Sequence, residues 1–174
     1  MSSLALYLLG PPRLERDGEP VQVKRRKVMA LLAYLSVTAQ PHSRETLVTL
    51  LSPELDTSRA RNELRRTLSV LNRLLGKDFL VADRETVGLN PLAQLWLDVA
   101  QFRRLLAECD AHDHPPDVAC PDCVPPVTDA VELYRDDFLA GFNLPDSLAF
   151  EEWQFFQSEG LRNQLAGVLQ RLVR

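Results

Sequence analysis

Two groups of side chains in this 174-residue chain have the types and spacing to do chemistry. The first is a set of metal donors: Cys109 and His112, then Cys120 and Cys123, each pair separated by two residues, with His114 as an alternative ligand. Thiolates and imidazoles suit zinc, and a two-residue gap lets both members of a pair face one ion. Four protein ligands leave no open position, so a zinc ion here would be structural. It would also fix a long, proline-interrupted loop. The alternative is an ordinary polar loop with reduced thiols; an odd number of cysteines makes no disulfide framework, and a Cys120–Cys123 disulfide is the weaker choice.

The second group is basic. Residues 59–73 contain Arg59, Arg61, Arg65, Arg66 and Arg73 with a single acid, Glu63. At 100° per residue, Ala60, Leu64, Leu68, Leu71, Leu74 and Leu75 fall within roughly 120° of one another and predict a buried stripe. Asn62, Ser69 and Arg73 lie opposite, flanked by Arg65 and Arg66, with Arg61 and Asn72 further round. Arginine and asparagine offer the bidentate geometry that reads guanine and adenine edges, while flanking arginines suit phosphates. A solvated helix face ordinarily mixes charge signs. Here Arg61 and Arg65 are like charges at i,i+4 and Arg65 adjoins Arg66, so the face repels itself unless an anion arrives. Four more cations, Lys24 to Lys27, precede a predicted helix, where they oppose its dipole. They are either a phosphate site or an exposed basic turn.

Nothing points to catalysis: there is no phosphate-binding glycine loop, no nucleophile elbow and only three histidines. The protein is therefore read as a non-enzyme. His42, beside Pro41, reads as a turn residue; the acid pairs Asp136-Asp137 and Glu151-Glu152 read as solvated faces, and Trp153, Phe155 and Phe156 as core or as packing for a following repeat.

These side chains need elements to hold them. Leu4–Leu9 is a short apolar run, and Asp17-Gly18 joins two alternating segments into a hairpin. Val28, Leu31, Leu32 and Leu35 mark a helix ended by Pro41; Ser43 caps a second through Leu51; Asp56 or Thr57 caps a third running to Leu75, with Gly76 as its stop. Residues 79–81 and 87–89 predict a second hairpin around Asp83-Arg84-Glu85, and helices are predicted at about 98–110, 124–135 and 147–174. The last helix shows no stop signal, which suggests that the natural protein continues.

Composition agrees with two modules. Residues 1–95 carry 14 Lys and Arg against 10 Asp and Glu, a net +4, whereas residues 96–174 carry 6 against 14, a net −8. With 45% hydrophobic residues the chain can bury a core. No apolar stretch is long enough to span a membrane, and the start of the chain lacks the basic segment of a signal peptide, so a cytoplasmic location and no membrane partner are expected.

The order of motifs resembles a known family. Leu6-Tyr7-Leu8-Leu9-Gly10-Pro11, then Arg26-Lys27 with Ala30-Leu31-Leu32-Ala33-Tyr34-Leu35, then Ser43-Arg44-Glu45-Thr46-Leu47, looks like the OmpR-type winged helix of the Streptomyces antibiotic regulatory proteins. Ala60-Arg61-Asn62-Glu63-Leu64 through Leu71-Asn72-Arg73-Leu74-Leu75-Gly76 resembles their recognition helix. Tyr134-Arg135-Asp136-Asp137-Phe138-Leu139-Ala140-Gly141-Phe142 and Glu151-Glu152-Trp153 are similar to their bacterial transcriptional activator domain.

The resemblance implies an α+β fold: a winged helix-turn-helix with a small antiparallel sheet at 1–95, four-stranded at its N-terminus, then an all-α tetratricopeptide-like module at 96–174. It implies that the third helix enters the major groove of duplex DNA, that the second hairpin is the wing, and that Ser52–Ser58 meets RNA polymerase. The family usually carries a tryptophan near Leu51 or Ser52, which this chain lacks, and the wing offers only Arg84 as an obvious cation. Groove-facing residues are expected to be Asn62, Arg65, Arg66, Ser69 and Arg73, and phosphate-facing ones Arg59, Arg61, Asn72 and Arg84. The expected function is sequence-specific DNA binding for transcription regulation, in the direction of activation, by a homo-oligomer on DNA. The alternative is a protein-interaction or signalling adaptor whose winged helix no longer binds DNA.

Overall fold

A computed structural model describes residues 2–173. Its strands are β1 (Leu4–Tyr7), β2 (Arg13–Arg16), β3 (Glu19–Val21), β4 (His42–Ser43), β5 (Leu80–Ala82), β6 (Thr86–Leu89) and β7 (Leu95–Leu97). Its helices are α1 (Arg26–Thr38), α2 (Arg44–Leu51), α3 (Thr57–Leu75), α4 (Asp98–Asp110), α5 (Val124–Leu133) and α6 (Leu148–Val173). One sheet is ordered β3-β2-β1-β7 and the other β4-β6-β5. The first sheet thus has four strands, but only three are N-terminal; the fourth, β7, follows the second hairpin.

The chain forms two compact units. The first comprises residues up to Ala5, Arg13–Leu95 and Asn143–Trp153; the second comprises Leu6–Pro12, Trp96–Phe142 and Gln154 onward.

In the first unit, Asp17 and Gly18 both take positive φ, 52° and 82°, the two-residue turn whose twist matches paired strands. It joins β2 to β3 in the register Leu14↔Val21 and Arg16↔Glu19. Helix α1 buries Val28, Met29, Ala30, Leu31, Leu32, Ala33 and Leu35, a nearly all-round apolar surface that suits a central helix. Ser43 caps α2 by accepting from Thr46 N, and Asp56 caps α3 by accepting from Arg59 N at 2.9 Å. The buried stripe of α3 is Ala60, Leu64, Thr67, Leu71 and Leu75. Thr67, polar and absent from the predicted stripe, is 1% exposed because its hydroxyl donates to the Glu63 carbonyl at 2.8 Å.

Residues 143–153 complete this unit. The Ser147 hydroxyl donates to the Leu50 carbonyl at 2.5 Å and accepts from Phe150 N at 3.2 Å. Trp153 packs edge-on against Tyr34 with ring centroids 5.0 Å apart. His42, in β4, stacks against Tyr34 at 4.6 Å, and burial pushes its imidazole pKa down.

Strands β5 and β6 form the second hairpin, with β4 on the other edge of β6. A Cβ added at Gly88 would stand 3.0 Å from Pro41 Cα, a backbone atom with little freedom to retreat. Gly88→Ala should therefore cost about 1–3 kcal/mol through overpacking, read as a lowered midpoint in thermal unfolding.

The second unit is built on a buried carboxylate. Asp98 opens α4 at 1% exposure; its oxygens accept from Leu8 N, Leu9 N and Val99 N at 2.8–2.9 Å. Around it, Phe102, Leu105, Leu106, Val127, Ala130, Phe138 and Leu139 form the core. The Tyr134–Phe142 motif is tied down at Asp137, whose carboxylate accepts from Arg162 Nε at 2.7 Å and from Tyr134 OH at 3.3 Å. The guanidinium holds the Asp137 carboxyl below its usual range, while burial and this carboxylate push the Tyr134 phenol up to about 12. Asp137 is thus anchored while its side chain stays 38% exposed. Phe155 and Phe156, expected as core or packing, are 59% and 69% exposed.

Candidate nucleic-acid interface

Helix α3 presents the basic face. Its hydrophobic stripe points into the first unit, which leaves Arg59, Arg61, Asn62, Arg65, Arg66, Ser69, Asn72 and Arg73 all exposed. The one acid among them is neutralised: Glu63 accepts from Arg25 Nη2 at 3.2 Å. Arg59 pairs loosely with the cap, 3.5 Å from Asp56, and Arg65 donates to Asn62 Oδ1 at 3.4 Å. Among the described residues Arg61, Arg66 and Arg73 form no salt bridge. Screened surface pairs are weak, so a phosphate or base edge could displace the Arg59–Asp56 contact at little cost.

Most of the basic cluster before α1 is engaged internally. Besides the Arg25–Glu63 pair, Arg26 donates to Asn143 Oδ1 at 2.5 Å, and Lys27 to Ser52 Oγ at 2.8 Å and Glu54 Oε1 at 3.2 Å. Three of the four cations therefore brace the start of α1 against α3, Asn143 and the α2–α3 connection. In that connection Leu51 and Ser52 are each 2% exposed, while Pro53 and Glu54 face solvent.

A groove of about 1240 Å³ runs between α2, α3 and the β5–β6 hairpin. Its walls carry Arg44, Arg61, Arg65 and Arg84 together with Glu45, Asp83 and Glu85. The fold thus brings Arg84 onto the same groove as Arg61 and Arg65; Asn62, Arg66, Ser69, Asn72 and Arg73 are not among its lining. The hairpin tip is rigid: Asp83 Oδ1 accepts from Glu85 N and Thr86 N, both at 2.7 Å, and these bonds hold its carboxyl below the usual carboxylate range. Arg44 anchors the tip by donating from Nε to Asp83 O at 2.8 Å. Arg44 is not among the residues expected from sequence to meet DNA. Its position on the groove depends on β4–β6 pairing, which no local pattern reveals.

The second chemical group also comes together, with one change of membership. Ligand atoms of His112, His114, Cys120 and Cys123 all lie within 4.8 Å of one another, an arrangement that could hold a metal ion. Cys109 stands outside that set; it is fully buried, and its sulfur faces Arg171 Nη1 at 3.9 Å.

The fold is similar to that of Mycobacterium tuberculosis EmbR. The solved structure is that of EmbR in complex with a low-affinity phosphopeptide, with a TM-score of 0.70 and 23% sequence identity. The likeness covers 93% of this chain, so it extends over both units, and 43% of the EmbR chain. No family model matches the sequence, and no curated protein does. The chain therefore shares with EmbR a mixed α/β fold with small sheets. Among the described residues no helix is long and apolar enough to cross a membrane.

Proposed function

We propose that this chain is the DNA-binding part of a cytoplasmic transcription regulator of the Streptomyces antibiotic regulatory protein type, with α3 in the major groove of duplex DNA. The observation that carries this reading is the outer face of α3, where five arginines are exposed and the only acid is tied to Arg25. Arg65, Arg66, Asn62, Ser69 and Arg73 read base edges; Arg59, Arg61, Asn72 and Arg84 meet the backbone. The β5–β6 hairpin serves as the wing, and the exposed turn at Pro53 and Glu54 is the part of the α2–α3 connection that RNA polymerase meets. The helices beyond residue 96 form a tetratricopeptide-like module that brings two copies together on DNA. A metal held by the His and Cys cluster is structural, because four protein ligands leave no position for substrate. The shared fold with EmbR and the sequence motifs both support the regulator reading.

The competing reading is an adaptor whose winged helix no longer meets DNA. Salt titration separates them. With Arg59, Arg61 and Arg84 on phosphates, log K should fall against log salt with a slope of about −3. A cooperatively folded sample that fails to retain any duplex at low ionic strength would leave only the adaptor.

A further inference from the structure

We propose that His112, His114, Cys120 and Cys123 bind one zinc ion, which fixes the connection between α4 and α5. The proposal concerns the second unit alone and stands whether or not α3 binds DNA.

Hydrophobic burial does little to hold this connection. Residues 111–120 contain one large aliphatic side chain, Val118, and it is 43% exposed. Its backbone bonds are short-range: His112 N to Cys109 O, His114 N to His112 O and Val118 N to Pro115 O, at 3.0–3.2 Å. The chain then enters a single 3-10 turn, Pro121–Cys123, where Cys123 N donates to Cys120 O at 2.9 Å. That turn sets Cys120 Sγ and Cys123 Sγ 3.4 Å apart.

The donor atoms face one another at short range, and among the described residues the one contact outside the set is the longer one from Cys123 Sγ to Cys109 O, at 3.7 Å. Cys123 Sγ is 2.9 Å from His112 Nδ1 and 3.0 Å from His114 Nε2, and Cys120 Sγ is 3.3 Å from His112 Nδ1. A thiol is both a weak donor and a weak acceptor, so three contacts on one sulfur hold it only weakly as hydrogen bonds. His114 sharpens the point. Its Nδ1 lies 2.9 Å from the Pro115 carbonyl oxygen, which can only accept, so Nδ1 carries the hydrogen. In the neutral ring Nε2 is then a bare lone pair aimed at the sulfurs. A backbone carbonyl that fixes the tautomer of a histidine in this way is the usual outer support of a metal-bound imidazole.

One cation satisfies all four donors at once. A zinc tetrahedron with N and S ligands has edges of about 3.3–3.8 Å. Four of the six separations are 2.9–3.4 Å and must open by roughly 0.3–0.7 Å to reach it, and the other two lie within 4.8 Å. Two thiolates cancel the ion's charge, which suits a site with Cys123 buried and the other three ligands half-buried. Two imidazoles with two thiolates in tetrahedral array favour zinc over harder divalent ions.

Metal content of the full chain, purified without chelator and then exposed to excess zinc under reducing conditions, tests this directly. We expect one zinc per chain, retained in Cys109→Ala and reduced to near zero in His114→Ala and Cys123→Ser. The cobalt-substituted protein should show thiolate-to-cobalt charge-transfer bands that Cys109→Ala leaves unchanged. Unfolding midpoints, followed by circular dichroism, establish that each variant folds. Wild-type protein that takes up no zinc overturns the proposal without reference to any variant. Zinc lost in Cys109→Ala and kept in a folded His114→Ala overturns this ligand set, in favour of three cysteines and His112.

Discussion

Replacing Arg65 and Arg66 together by alanine is expected to lower affinity for duplex DNA about a hundredfold, since each bidentate base contact is worth about 1–3 kcal/mol and 1.4 kcal/mol is a factor of ten. Both side chains are exposed on α3 and neither belongs to the buried stripe, so the unfolding free energy should change by less than about 0.5 kcal/mol. That separation lets a loss of binding be assigned to the interface. Arg61→Ala supplies the contrast: it should weaken binding similarly on all sequences and reduce the salt slope by about 1, the mark of a phosphate contact. Binding can be followed by fluorescence anisotropy of a labelled duplex at two or more salt concentrations. If the double variant binds as tightly as the parent, the face of α3 has been misassigned even if the protein binds DNA.

The second large effect concerns stability. Asp98→Ala removes one carboxylate and leaves Leu8 N, Leu9 N and Val99 N without their acceptor in a buried site. An unsatisfied buried donor costs roughly 1–3 kcal/mol. With three affected, the loss should be about 4 kcal/mol, beyond most single substitutions. Asp98→Asn keeps one carbonyl acceptor and should lose about half as much. Denaturant unfolding measures both. A loss below about 1 kcal/mol for the alanine variant would mean that water or a backbone shift replaces the carboxylate, and that Asp98 is not the organising group of the second unit.

Local chemistry made much of this fold readable. The Asp17-Gly18 turn and the Ser43 and Asp56 caps each depend on a few adjacent residues, and each lies where the pattern put it. The exposure of the α3 arginines followed from helical geometry alone. What escaped depended on distant parts of the chain. Thr67 is polar by type and buried by virtue of a bond to its own helix. Nothing around Asp98 in sequence marks its role, because its partners Leu8 and Leu9 are 90 and 89 residues away. For the metal donors, spacing favoured Cys109 with His112 as a pair, but Cys109 belongs to the buried face of α4, which leaves His114 beside the other donors. Phe155 and Phe156 are expected as core or as packing for a following repeat, and their exposure removes the first option, because helical spacing does not say which arc of a 26-residue helix finds a neighbour.

The first unit is assembled from three separated stretches, and this bears on its folding during synthesis. Every arginine assigned to DNA has left the ribosome's active centre once residue 95 is made. Ser147, which ties down the Leu50 carbonyl, and Trp153, which covers Tyr34, follow roughly 3–12 s later at about 5–20 residues per second. Until then α1 and α2 lack a strip of their packing, while the whole intervening helical segment is produced. A protein halted at Leu95 would carry the whole basic face of α3 on an unfinished support.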